Sequence, residues 1–244
     1  MNSTIISVKN VTKEIILGKS NNKIRIINDI SLEVNKGEFL SIVGPSGSGK
    51  STLINIISGL STPTSGEVFL EAQNIYKLNS SKLARLRRER IGFIFQQYNL
   101  ISALPVFENI SLQLKLSHQK VDKKQIDELL NRMNFEPKST ASIDSLSGGE
   151  KQKVAIARVL ATDCEIVFAD EPTGALDSVS SEKVFEILRE MTHQGKTVVM
   201  VTHNVEMAAR CDRAVVIRDG KIQNILPNPT EASLLHEITG GLII

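Results

Sequence analysis

Residues 44–52 read Gly44-Pro45-Ser46-Gly47-Ser48-Gly49-Lys50-Ser51-Thr52 and fit the pattern G-x-x-x-x-G-K-[ST]. Three glycines let the backbone turn tightly and aim N–H groups at a phosphate. Lys50 adds a mobile positive charge for the outer phosphates, and the Ser51 hydroxyl is a hard oxygen ligand for Mg²⁺. Further on, the apolar run Ile166–Ala169 ends in Asp170 and Glu171. Alone, such a pair reads as a solvated turn or a helix N-cap. Beside a phosphate loop, Asp170 is placed to hold Mg²⁺ and Glu171 to polarise an attacking water. A third group, Leu146-Ser147-Gly148-Gly149-Glu150, contains the S-x-x-E pattern of a capping box. Two glycines just inside a helix cost about 1 kcal/mol each relative to alanine, more than a cap alone justifies. They make sense if the backbone must approach an anion at the helix N-terminus. A second anion site in a chain that already has one points to the nucleotide of a partner copy.

The segments around these groups supply the means to position them. Phe39–Val43, immediately before Gly44, is a short continuous apolar run, as are Ile91–Phe95, Ile166–Ala169, Thr197–Val201 and Ala214–Ile217. Such runs suit strands buried on both faces of a parallel sheet. Between them lie helical patterns: Thr52–Ser58, the basic stretch Ser80–Arg90, and Val154–Leu160. Ile126, Leu129, Leu130 and Met133 mark one amphipathic face, and Val184, Ile187, Leu188 and Met191 another. Ile5–Val11 and Ile24–Val34 read as strands separated by the polar loop Gly18–Lys23, and Glu67–Leu70 as a strand after the turn Pro63–Gly66. Strands alternating with helices predict an α/β fold with a mainly parallel sheet. A polar and helical block spans about residues 97–162. In the tail, residues 227–244, a short helix is expected around Ser233–Ile238.

With 244 residues, 41% hydrophobic and 23% charged, the chain is neither disordered nor fibrous. The net charge of +2 gives no electrostatic argument for nucleic acid. No run approaches the ~20 apolar residues of a membrane span, and the N-terminus does not read as a secretory signal. If the protein works at a membrane, another chain is therefore expected to supply the membrane part. Cys164 and Cys211, both in apolar surroundings, are expected to be buried free thiols.

In their order and spacing, these motifs resemble the ATP-binding subunits of ABC transporters, from about Ile5 to Gln223. The resemblance implies a P-loop NTPase core, an N-terminal antiparallel β subdomain and a helical subdomain at about 97–162, in a single ATP-binding domain over 1–244. It makes residues 44–52 the Walker A loop, Asp170 the Walker B aspartate and Glu171 the catalytic glutamate. Gln96 becomes the Q-loop glutamine near Mg²⁺, Ala175-Leu176-Asp177 the D-loop and His203 the switch histidine. His203 is the only one of four histidines to follow a buried strand; His118, His193 and His236 have no such context. ATP and Mg²⁺ are the implied ligands, with Ser147–Glu150 and Asp177 reaching the nucleotide of the opposite subunit in a head-to-tail homodimer. Two positions depart from the family pattern. Ile15 stands where an aromatic usually stacks on adenine, and Glu150 where glutamine is commoner.

Residues 168–178, Leu86–Arg90 and Gly92–Leu100 are similar to the macrolide-export, lipoprotein-release and bacitracin-resistance group. Its membrane subunits carry large extracytoplasmic domains, so the resemblance implies a peripheral subunit at the cytoplasmic face of the membrane. The related cell-division ATPases are separated less sharply. A soluble DNA-repair ATPase would insert heptad arms between the phosphate loop and Ser147, and translation-factor relatives carry two cassettes. A kinase would leave Ser147–Glu150 and His203 unused.

Overall fold

A computed structural model describes residues 3–17, 22–136 and 138–240. Four strands form an antiparallel sheet in the order β2-β1-β4-β5: β1 (Thr4–Leu17), β2 (Asn22–Asn35), β4 (Ser65–Leu70) and β5 (Gln73–Asn74). The second sheet runs β10-β9-β3-β8-β7-β6. Its members are β3 (Phe39–Val43), β6 (Ile91–Ile94), β7 (Ile166–Asp170), β8 (Thr197–Val201), β9 (Arg213–Arg218) and β10 (Lys221–Pro227). All its neighbours pair in parallel except β9 and β10. The helices are α1 (Lys50–Ile57), α2 (Ser80–Arg90), α3 (Val106–Leu116), α4 (Lys123–Arg132), α5 (Gly148–Leu160), α6 (Ser178–His193), α7 (Val205–Ala209) and α8 (Glu231–Thr239).

Every residue of β3, β7 and β8 is buried, and the two-residue period of a strand divides them between two cores. Leu40, Ile42, Ile166, Phe168, Val199 and Val201 pack with α1 and the antiparallel sheet. Phe39, Val167, Ala169, Val198 and Met200 pack toward α3–α6, where Phe39 stacks on Phe185 at 5.3 Å between ring centres. The continuous apolar runs of the sequence are thus strands covered on both sides. Because β3, β7 and β8 are parallel, residues 44–52, 170–171 and 202–203 all leave the same edge of the sheet.

The structure extends several expected elements and adds others. The β1–β2 ribbon runs past the predicted strand ends, and most of the predicted loop Gly18–Lys23 lies outside the described residues. β5, β10 and α7 carry no strong periodicity. α8 starts two residues before the expected helix and buries Leu234 against Val43 and Val216, so it is tied to the back of the phosphate-loop strand. Cys164 and Cys211 are buried free thiols, and burial pushes the Cys211 thiol up to about 12.

Candidate functional site

The loop from Gly44 to Gly49 joins β3 to α1. At Gly44 (φ 148°) a Cβ would sit 2.0 Å from the Ile217 carbonyl oxygen, so only glycine fits this turn beside β9. α1 starts without a capping side chain: Gly49 occupies its N-cap with φ 99°, and no acidic residue lies in its first turn. Six of the other helices are capped by Asn79, Asp122, Ser147, Asp177, Asn204 or Thr230. The N–H groups at the start of α1 are thus left for an external anion. Among the described residues, Ser48 Oγ, buried in this loop, has no hydrogen-bond partner. Lys50 Nζ donates to the carbonyls of Gly44 (2.9 Å) and Pro45 (2.8 Å). Burial holds its pKa below the usual lysine range, against the pull of Glu171 and Asp170.

Across the cleft, Ser51 Oγ donates to Asp170 Oδ1 at 3.1 Å. Burial raises the Asp170 pKa, opposed by that hydrogen bond. These two hard oxygen donors fit Mg²⁺, which takes one or two protein ligands and completes its shell with phosphate oxygens and water. Glu171, one residue past the end of β7, adopts φ 50°, and its N–H donates to Val201 O at 2.9 Å. This left-handed turn is strained for a non-glycine residue. It separates the direction of the Glu171 side chain from that of Asp170. His203 Nδ1 lies 2.9 Å from Glu171 Oε2, while the His203 imidazole remains largely in solvent.

A cleft of about 420 Å³ gathers Ser46, Gly47, Gly49, Lys50, Ser51, Thr52, Gln96 and Glu171. Its remaining lining residue, Ile26, was not singled out by the sequence. The pairing of β1 with β2 slips here: Lys13 faces Ile27 and Glu14 faces Arg25, leaving Ile26 as the extra residue of a bulge. Ile15 faces Ile24 on the same ribbon, is partly exposed, and is not among the lining residues. Nothing in the periodicity of β2 announces the bulge.

Ser147, Gly148, Gly149, Glu150 and Asp177 do not line this cleft. Ser147 caps α5 through a complete capping box: its Oγ accepts from Glu150 N–H (3.3 Å), and its own N–H donates to Glu150 Oε2 (2.7 Å). The local cap is therefore real, and Ser147 and Gly148 are also exposed at that helix end. Asp177 caps α6 by accepting from Ser180 N–H at 2.9 Å. A connection absent from the motif reading joins Gln96 to α5. Tyr98 and Asn99 both have φ > 0, and their carbonyls accept from Arg158 at 3.1 and 2.7 Å near the C-terminal end of α5. At the other end, Tyr98 Oη lies 3.1 Å from where a Gly148 Cβ would be. The loop after Gln96 thus touches both ends of the helix that carries Ser147.

Residues 27–174 match the ABC transporter family. The chain is 44% identical over 220 residues to the macrolide export ATP-binding/permease protein MacB of Campylobacter jejuni, covering 89% of this chain and 33% of that protein. It is 43% identical over 221 residues to the MacB of Neisseria meningitidis serogroup B, covering 90% and 34%. The chain therefore spans about a third of the length of these relatives. Among solved structures, it superposes with a TM-score of 0.86 and 38% identity on the ATP-binding cassette MJ0796, a dimer bound to ADP and Pi in a post-hydrolysis state. That match covers 92% of this chain and 99% of the other.

Proposed function

The chain belongs to the ABC transporter family as an ATPase cassette, and from that premise we propose that it hydrolyses ATP to drive a membrane permease in the export or extraction of peptides, antibiotics or lipoproteins. The observation that carries the ATPase reading is the arc of Lys50, Ser51, Asp170, Glu171 and His203 at one edge of the parallel sheet, against an uncapped helix N-terminus. In this reading, the loop N–H groups and Lys50 bind the phosphates, and Lys50 leaves the Gly44 and Pro45 carbonyls to do so. Ser51 and Asp170, with Gln96 nearby, hold Mg²⁺, which when bound neutralises phosphate charge. Glu171 orients and polarises water, and His203 positions Glu171 and faces the γ-phosphate.

Ser147–Glu150 and Asp177 lie off this cleft, which supports a head-to-tail homodimer in which they complete the opposite subunit's site. A permease partner is supported by relatives named as ATP-binding/permease proteins, about three times as long as this chain. Among the described residues, no helix is long and apolar enough to cross a membrane. We assign the chain to the cytoplasmic face, and its permease a large extracytoplasmic domain. Residues 1–244 act as one ATP-binding domain, with about 97–162 as its helical subdomain. Ile15 and Ile26 flank the adenine.

Affinity purification tests this reading. Tagged Glu171→Gln protein, extracted from native membranes with ATP and Mg²⁺, should bring down a permease with few membrane spans and a large outer domain. Recovery of a cell-division membrane protein would move the chain to the mechanotransmitting relatives. Recovery of soluble protein or nucleic acid alone would overturn the transport assignment.

A further inference from the structure

α8 contributes nothing to the lining of the nucleotide cleft, yet it is fixed at both ends. Thr230 and Ser233 close a capping box at its start. At its other end, Arg218 of β9 donates to the Ile238 carbonyl at 2.6 Å, and Asn224 of β10 donates to Glu237 Oε1 at 2.9 Å. Between these anchors Leu234 is fully buried, in a small core with Val43, Ala208, Ala214 and Val216. Val43 lies on β3, and Ala214 and Val216 lie on β9. β3 is hydrogen-bonded on both sides, to β8 and to β9. Ala208 belongs to α7, which no ladder supports.

α7 is five residues long, too short to persist as a helix without tertiary packing. Its start is capped locally, where Asn204 Oδ1 accepts from Met207 N–H at 3.0 Å. The rest of its support comes from its two sides. On one, Ala208 joins the Leu234 core. On the other, Met207 joins the large core toward α3–α6, and Thr173 Oγ1 donates to its sulfur at 3.6 Å. The chain enters α7 directly from His203. The His203 imidazole is largely in solvent, with Nδ1 2.9 Å from Glu171 Oε2, and the His203 N–H donates to the same oxygen at 3.4 Å. A ring so exposed takes its position from its backbone, and the next residue of that backbone is the N-cap of α7.

We propose that Leu234 is a positioning residue for hydrolysis: seated on the strands, it sets α7 and thereby the place of His203 against Glu171. The proposal rests on the roles given to Glu171 and His203 above. It acts on turnover rather than on nucleotide binding. Truncating Leu234 leaves a space that bonded strands cannot close, whereas a short helix can shift into it. That shift moves His203 relative to Glu171. The phosphate loop, held by β3 and the turn at Gly44, stays in place.

Steady-state ATP hydrolysis by the full chain, below the melting transition of every variant, tests this. Leu234→Ala should lower kcat about tenfold, within the roughly hundredfold that a displacement of about 1 Å can cost. KM for ATP should stay within about twofold of the parent, as expected when only transition-state interactions are lost. Leu234→Met keeps the volume and should restore kcat. Leu234→Val carries the same test, with a smaller fall in kcat, where the alanine variant does not fold. The decisive comparison is a cycle with His203→Ala. In that background Leu234→Ala should lower kcat by less than about twofold, because the group it positions is gone. A folded Leu234→Ala chain with the kcat of the parent would overturn the proposal. So would losses that multiply in the double variant, since Leu234 would then act elsewhere. A raised KM with unchanged kcat would also overturn it, by placing the effect on the phosphate loop through Val43. If His203→Ala itself hydrolyses ATP like the parent, the role of His203 falls, and this proposal with it.

Discussion

Glu171 is held in a conformation that a non-glycine residue seldom adopts, in contact with His203. That strain is sustained by the β8 backbone bond to its N–H, and it turns two adjacent carboxylates toward different neighbours. Asp170 faces Ser51, and Glu171 faces the open cleft. Removing the Ser51 hydroxyl leaves Asp170 as the lone hard donor of the pair. Ser51→Ala should therefore raise the Mg²⁺ concentration needed for half-maximal ATPase activity at least about tenfold, as a Mg²⁺ titration of turnover would read. Chelating the metal with EDTA should abolish turnover in the parent chain. The cysteines should be silent. Burial keeps Cys164 and Cys211 as thiols, so the native chain should react with iodoacetamide far more slowly than the urea-unfolded chain, which should take two equivalents. Prompt labelling of the native chain would contradict their packing.

The strands place the chemistry and the loops adjust it. Gly44 turns the chain away from β3 where β9 leaves no room for a Cβ. Gly44→Ala should cost about 1–3 kcal/mol of stability by overpacking, read as a lowered denaturation midpoint, and should weaken nucleotide binding with it. Much of this geometry was legible in the sequence. Asp170, Glu171 and His203 each sit at or just beyond the end of an apolar run, Lys50 follows another such run by one glycine-rich loop, and parallel strands carry such ends to one edge. The bulge that turns Ile26 into the cleft was not legible, because it depends on the register between β1 and β2. Nor was the strap from Tyr98 and Asn99 to Arg158, which joins residues about sixty positions apart through main-chain carbonyls that no motif records. The paired glycines at 148–149 suggested close approach to a ligand; the structure adds that Gly148 also makes room for Tyr98.

Taken together, the two cores share one sheet, and the ion pair between Arg90 and Glu165 ties the starts of β6 and β7 at its edge. The Arg90 guanidinium holds the Glu165 carboxyl below the usual carboxylate range. A depressed pKa stabilises the folded state above the unfolded-state value, and that contribution is lost as pH falls through the folded value. The pair is partly exposed, so it is worth about 1 kcal/mol or less. Glu165→Gln should lower Tm at pH 7, and the gap to the parent should close below the folded-state pKa of Glu165, as melting curves across that range would show. The proposed binding across two chains asks more of the molecule than its own stability. Ser147 caps α5 at an exposed helix end and does not line the cleft of its own chain; in the proposed function, each site is complete only when two copies close on ATP. The decisive measurement is the mass of the Glu171→Gln chain in solution by light scattering, with and without ATP and Mg²⁺, alongside its turnover. A monomer that doubles in mass only with ATP, while phosphate release falls at least about a hundredfold, is the predicted result. A chain that binds ATP yet stays monomeric, or that hydrolyses ATP like the parent, would contradict the shared-site mechanism and the role assigned to Glu171.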